Sequence, residues 1–275
     1  MAVLKQVSKK EAHNYRIALL TYIVIMLCVL SACQLNREKP MGKRDAVIVL
    51  LAHPDDETWI SGTLAKLAVR GLEVIPVYAT SGDKGSDRSG RGLSGDQLAE
   101  VREREAIMAC QTLDVSSPIF LRFADGKLNQ FQSELLAKFQ EVVEQVEPAW
   151  ILSFIRGGIT DNRDHKVVNK LVSQHYSSRA VYFAVSDTRA IALRRSAEKF
   201  GINYSVAVPI ENSLVTHRVD VSQYQKLRTQ AMSQHVSQFP PVMVSAFGDF
   251  TQNTHYEELV LGENEELNGL LQYLD

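Results

Sequence analysis

Residues 46–57 read AVIVLLAHPDDE, and the way this stretch folds decides how the rest of the chain is read. The run Ala46 to Leu51 is continuously apolar and rich in β-branched residues, as a strand covered on both faces must be. Pro54 lacks the N–H that would carry a ladder further, so His53, Asp55 and Asp56 fall at the C-terminal edge of that strand. In open α/β sheets ligands bind at this edge, where the strand order reverses. One imidazole and two carboxylates within four residues provide two ligands of a zinc-type site and one general base. A third ligand has to come from elsewhere.

Downstream, Thr58 to Arg70 has apolar residues at helical spacing and stops at Gly71, and Glu73 to Thr80 reads as a second strand in which Pro76 signals an irregularity or a nearby edge. Ser81 to Asp96 is Gly- and Ser-rich and charged, a loop suited to form a wall or lid over the site. Gln97 to Leu113 is a helix, Ile119 to Phe123 a short strand, Gln130 to Val146 a helix and Ala149 to Phe154 a buried strand. This alternation predicts an α/β fold, a mainly parallel sheet with helices on both faces. Beyond it, Val181 to Val185, Tyr204 to Val208 and Leu214 to Val221 read as strands of an antiparallel edge extension, and Ser222 to Val236 as a final helix. No internal repeat appears, and residues 45–275 form one domain.

His165 is the best-placed third ligand. It follows the strand at Ala149 to Phe154 across Gly157 and Gly158 and opens the helix Lys166 to His175, which puts it on the same edge as His53. His175, ten residues along that helix, is carried about 15 Å away.

The N-terminus has the layout of a secretory signal: Lys5, Lys9, Lys10 and Arg16 precede an apolar stretch from Ile17 to Ala32. It ends in Leu-Ser-Ala-Cys33, which resembles a bacterial lipobox, so residues 1–32 are expected to be removed and Cys33 lipidated, with residues 33–44 as a tether. An uncleaved signal anchor is the alternative. Either arrangement delivers the domain outside the cytoplasm. A lipid anchor places it in the bacterial cell envelope on the periplasmic face, and Gln34 after the cysteine resembles outer-membrane sorting. Without residues 1–32 the formal charge is −5, which argues against a nucleic-acid partner. With Cys28 in the signal and Cys33 in the lipobox, only Cys110 is left of the three cysteines, read as a small core residue. No glycine fingerprint follows the first strand, so a nucleotide cofactor is not expected.

Ala52-His-Pro-Asp-Asp-Glu57, the downstream Asp164-His165, and several smaller blocks resemble the PIG-L/LmbE-like family of zinc-dependent N-deacetylases. The smaller blocks are Thr80 to Gly85, Arg102 with Glu105 and Ala106, Asp125-Gly126, Val219 to Val221, and Lys226, Ala231, His235, Ser237 and Gln238. The resemblance implies a Rossmann-like α/β fold, one Zn²⁺ per chain held by His53, Asp56 and His165, and Asp55 as general base. It implies substrate-binding roles for Arg102, Asp125 and, in the loop over the site, Asp83. Asp164 either orients His165 or caps the helix. Where the family usually reads His-Pro-Asp-His, this chain reads Asn162-Arg-Asp-His165. Asn162 donates a hydrogen bond to an oxyanion but supplies no proton, which leaves Asp55, Arg163 or His217 to act as the acid.

The expected function is removal of the acetyl group from an N-acetylglucosamine-type amino sugar or glycoconjugate of the cell envelope. The alternative is a zinc-containing, glycan-binding envelope lipoprotein with little or no activity.

Overall fold

The computed structural model describes residues 45–262 and 265–275. The signal segment and tether expected over residues 1–44, with Cys33, lie outside the described residues. In chain order the elements are β1 (Ala46–Leu51), α1 (Ser61–Val69), β2 (Glu73–Thr80), α2 (Gly95–Thr112), β3 (Ile119–Phe123) and α3 (Gln132–Val146). They continue with β4 (Trp150–Phe154), α4 (Arg163–His175), β5 (Ala180–Ala184), α5 (Asp187–Lys199) and β6 (His217–Asp220). The last are α6 (Gln225–Met232), α7 (Pro241–Asn253), β7 (Tyr256–Leu261) and α8 (Glu265–Leu274).

The strands form one sheet in the order β3-β2-β1-β4-β5-β7-β6. The first five in that order are parallel, whereas β7 runs antiparallel to both β5 and β6. The expected fold class, mainly parallel with an antiparallel edge, is the one observed. From β1 the chain adds β2 and β3 on one side and then crosses to β4 on the other, so the order reverses beside β1, where the His-Pro-Asp-Asp loop begins.

All six β1 residues are buried, with Ala46 the most exposed at 4%. Aliphatic side chains buried like this each contribute about 1.5–3 kcal/mol over exposure, which fixes the strand and the loop springing from it. Pro76 is tolerated because the β2–β3 register begins only at Val77.

The C-terminal third departs from expectation. Tyr204 to Val208 is not a strand. That segment is stitched to its surroundings by Val208 N–H donating to Ile159 O (2.9 Å), Ile210 N–H donating to Val185 O (3.0 Å) and one bridge from Ser186 to Ile210. The expected final helix is a short 3-10 turn, Ser222–Tyr224, followed by α6, which ends before His235. Four elements were not anticipated: α5, α8, α7, which starts with Pro241 in its first turn, and β7, whose Glu257 and Glu258 are both fully buried.

Candidate active site

The loop after β1 folds back on itself through Asp56. Its Oδ2 accepts the N–H groups of His53 (2.7 Å) and Ala52 (3.1 Å), which aims Oδ1 across the site at His165 Nε2, 3.1 Å away. The neighbouring Asp55 adopts φ +110°, ψ −21°, a conformation L side chains rarely take. Such a residue costs on the order of 1–3 kcal/mol and persists only where its surroundings over-determine it. Here Glu57 Oε2 accepts the Asp55 N–H (3.1 Å), and the Asp55 side chain faces the cavity.

His165 arrives from β4. Gly158, at φ +70°, makes the turn, and any Cβ there would lie 2.4 Å from His165 Cβ. The His165 ring stacks on Phe154 at 4.0 Å between centroids, and its Nδ1 donates to Gly158 O (2.8 Å), which leaves Nε2 without a proton. His53 Nε2 lies 3.2 Å from Asp125 Oδ1 and 3.5 Å from Asp164 Oδ2, so the proton belongs on that nitrogen and Nδ1 is bare. His53 Nδ1 and His165 Nε2 stand 3.2 Å apart with Asp56 between them. Two bare nitrogens at that distance cannot hydrogen-bond each other and, with a carboxylate, make a three-atom pocket for a cation. His53, Asp56 and His165 place one ligand atom each within 4.8 Å of the others. Two imidazoles and one carboxylate, each oriented by a further hydrogen bond and leaving a fourth position open, fit a hydrolytic metal site.

The surrounding carboxylates favour positive charge at this point: burial lowers the His53 pKa, but Asp125, Asp164 and Asp56 outweigh it and hold the imidazole well above its ordinary value, so a metal has to displace a proton from Nδ1 when it binds. Burial raises Asp56, yet His165 and His53 keep it well below the usual carboxylate range. Asp55 is pushed well above that range by burial and by the charges of Asp56 and Glu57.

The remaining predicted residues separate into those that face the cavity and those that build it. Asp125, Arg102 and Asn162 line it. Arg102 is buried and donates to Gly82 O (2.8 Å) and Ser86 O (3.2 Å), clamping the loop after β2 rather than forming a helix-face ion pair. Asp83, expected to bind substrate, is not among the lining residues; its Oδ1 accepts the Asp125 N–H (3.1 Å), so it positions Asp125 instead. Asn162 is the N-cap of α4, its Oδ1 accepting the Asp164 N–H (2.7 Å), so its amide nitrogen is the end left to donate. Asp164 neither caps that helix nor orients His165. Its carboxylate accepts the N–H groups of Gly126 (2.7 Å) and Leu128 (3.2 Å) and steers His53. Arg163 and His217 do not line the cavity, and His217 instead lies 3.5 Å from Asp275, which removes both as acids.

Lys84 was visible only within the family-like block Thr80 to Gly85, and Thr160 and Tyr204 carried no functional sign in the sequence; all three line the cavity. Among the described residues the Tyr204 hydroxyl has no hydrogen-bond partner, and burial together with the Asp55 charge pushes the phenol up to about 12, so it remains a donor. His235, Ser237 and Gln238 were visible only as part of the family-like pattern. His235 pairs with buried Glu57, which also accepts from Tyr78 (2.7 Å); Gln238 donates to Pro54 O (2.7 Å); and Ser237 binds Glu105 through both N–H and hydroxyl (2.9 and 2.6 Å). This block braces the underside of the metal-binding loop.

The cavity measures about 510 Å³. Its lining mixes polar residues, Lys84, Arg102, Asp125, Thr160 and Asn162 among them, with apolar ones drawn largely from α5 and α7.

Residues 48–176 match the family model described as GlcNAc-PI de-N-acetylase, PIG-L. A 1D-myo-inositol 2-acetamido-2-deoxy-alpha-D-glucopyranoside deacetylase of Actinosynnema mirum is 24% identical over 231 residues, covering 70% of this chain and 80% of that protein. Among solved structures, the N,N'-diacetylchitobiose deacetylase of Pyrococcus horikoshii superposes with a TM-score of 0.56 at 20% identity, covering 82% of this chain and 86% of that one. The 4-carboxy-2-hydroxymuconate hydratase GalB of Pseudomonas putida superposes with a TM-score of 0.54 at 18% identity, covering 78% of this chain and 95% of that one. One fold therefore carries both deacetylases and a hydratase, and the family segment, residues 48–176, together with the His-Asp-His cluster it contains, decides between them. Residues 48–176 are thus a segment of the PIG-L type of N-deacetylase, and they hold the whole His-Asp-His cluster.

Proposed function

We propose that this protein is a zinc-dependent hydrolase that removes the N-acetyl group from an N-acetylglucosamine-type amino sugar or glycoconjugate, acting in the bacterial cell envelope from a lipid anchor at Cys33. The observation that carries the reading is the convergence of proton-free atoms from His53, Asp56 and His165 beside a strained, cavity-facing Asp55. When bound there, zinc lowers the pKa of a coordinated water and polarises the amide carbonyl.

The chain's own groups supply the rest. Asp55, ionised, accepts the proton of the attacking water and can return it to the departing amine. The Asn162 amide and the Tyr204 hydroxyl face the same cavity and are the neutral donors available to the developing oxyanion. Lys84, Arg102 and Asp125 offer donors and acceptors for sugar hydroxyls. Two named relatives act on N-acetylated amino sugars, which supports that substrate class.

The test is acetate release by the zinc-loaded protein from a panel of N-acetylglucosamine saccharides and envelope glycans, with Asp55→Ala as control. Release that disappears in the control supports the reading. Stoichiometric zinc with no release from any substrate favours the glycan-binding alternative, which Asn162 in place of a histidine makes specific to this chain. The anchor has a separate check: palmitate incorporation must vanish in Cys33→Ala.

A further inference from the structure

Buried donors outnumber acceptors where the first turn of α1 meets α6, α7 and β7. Arg228, on α6, is fully buried, and its Nε, Nη1 and Nη2 have no hydrogen-bond acceptor of good geometry among the described residues. The same holds for the buried Thr63 hydroxyl on α1 and for Nε of Arg189 on α5, a residue only 2% exposed. An unpaired buried donor keeps its full desolvation penalty, which is larger for a charged group, and native interiors hold few of them.

Neither carboxylate nearby completes the set. Glu257 accepts the N–H groups of Gly62 (3.0 Å) and Thr63 (2.7 Å), and although its Oε1 lies 3.0 Å from Arg228 Nε, the contact is an ion pair without hydrogen-bond geometry. Glu258 accepts the Ser186 N–H (2.7 Å) and hydroxyl (2.8 Å). Phe247 lies 5.5 Å from the Arg228 guanidinium and Phe250 5.4 Å from that of Arg189, with the two rings 6.0 Å apart; their faces stabilise the cations but leave the N–H groups without oxygen acceptors.

The local charge has a sign. Two arginines and two glutamates cancel, and the N-terminus of α1, directed at Glu257, adds roughly half a positive charge. Burial lowers the Arg228 pKa, and although Glu257 opposes the shift, the Arg189 charge adds to it, so the two guanidinium groups stand in each other's field. A water molecule would bring two more O–H donors to a place already rich in them. A halide only accepts, and it offsets the positive field.

We propose that one small monovalent anion, of the size of chloride, binds here, accepting from the Arg228 guanidinium and the Thr63 hydroxyl, with Arg189 as the second cation beside it. Arg228, Arg189 and Thr63 do not line the cavity, so the anion is structural and independent of the deacetylase reading. It ties the start of α1, where the metal-binding loop ends, to α6.

The test follows urea unfolding of the zinc-loaded protein as chloride replaces gluconate at constant ionic strength, and locates bromide in soaked crystals by anomalous diffraction. An anion that binds only the folded chain should lower the unfolding constant by about tenfold for each tenfold rise in chloride above half-saturation. Thr63→Val, which keeps the N–H that Glu257 accepts, should raise the half-saturating concentration several-fold, and Arg228→Met should abolish the dependence. The bromide peak is expected beside Arg228, a result that needs no variant to fold. Equal unfolding in the two salts with no bromide at Arg228 leaves only ordered water there and overturns the proposal. A bromide peak without a saturable chloride effect marks an adventitious ion only and overturns it too. So does a chloride effect that is unchanged in both variants, because the anion then binds elsewhere.

Discussion

Two buried clusters of charge meet residues 53–63, and they are built on opposite terms. At the cavity, His53, Asp56 and His165 direct bare acceptor atoms at one another, while their outward-facing atoms are held by Asp125, Asp164, Gly158 and backbone N–H groups. Beneath α1, Glu257 accepts the N–H groups of Gly62 (3.0 Å) and Thr63 (2.7 Å) and lies 3.0 Å from Arg228 Nε, while Glu258 binds Ser186. In this second cluster the surplus is of donors. The guanidinium nitrogens of Arg228 make no hydrogen bond of good geometry, and the group sits over the Phe247 ring at 5.5 Å. Burial, with Arg189 nearby, lowers its pKa to about 10, although Glu257 opposes the shift. The first cluster is incomplete without a cation, whereas in the second each carboxylate has cationic or backbone donors. Buried charge alone therefore does not mark a site, and the sign of the mismatch and its access to the cavity do.

The strongest way to break this comparison is in the first cluster. Asp55→Ala is expected to lower kcat by about 10²- to 10⁴-fold while zinc content, measured by elemental analysis, stays stoichiometric, because Asp55 is not one of the three converging groups. His165→Ala is expected to lose the zinc itself. If Asp55→Ala lost the metal and His165→Ala kept it, the two roles would be exchanged. In the second cluster, Arg228→Met should cost about 3–5 kcal/mol in urea unfolding by leaving a buried carboxylate without its cation, and should leave zinc stoichiometry intact. Zinc loss without destabilisation would erase the distinction.

The same contrast explains what the sequence revealed. β1 and β4 were legible because both of their faces meet apolar neighbours, and His165 because the turn at Gly157-Gly158 returns the chain to the edge where His53 sits. β7 was not, since Tyr-Glu-Glu-Leu-Val-Leu reads as half polar, and only the tertiary partners of Glu257 and Glu258 make those carboxylates interior groups. Tyr204 to Val208 misled in the opposite direction. Its alternation fits a strand, but no continuous neighbouring strand pairs with it, and one backbone hydrogen bond from Val208, with another from Ile210 just beyond, ties the segment down instead.

An intermediate effect is expected at the oxyanion side. Tyr204→Phe removes a hydroxyl without changing packing, and a fall of about tenfold in kcat with little change in KM would mark a donor used mainly in the transition state. Asn162→His adds a group that can protonate the leaving amine and should raise kcat by up to about tenfold, provided the new side chain still caps α4. Helical content by circular dichroism reports on that cap. No change in either variant would leave Asp55 as the sole proton carrier and remove both donors from the mechanism.

The smallest effect concerns His235, a charge-matched pair within the bracing block. Burial lowers its pKa, but Glu57, and then Asp55 and Glu105, outweigh burial and hold it above the ordinary 6.5. A histidine whose folded pKa lies above its unfolded one contributes stability that is complete below the unfolded value and is lost as pH rises through the folded value. The urea midpoint of the native protein should therefore decline from about pH 6 toward alkaline pH. His235→Gln, which can still donate to Glu57 but does not titrate, should flatten that decline. An unchanged slope in the variant would assign the pH dependence elsewhere and show that the His235–Glu57 pair acts through packing alone. A flattened slope with unaltered zinc content would confirm that charge beneath the loop serves stability, while the bare acceptors above it serve the metal.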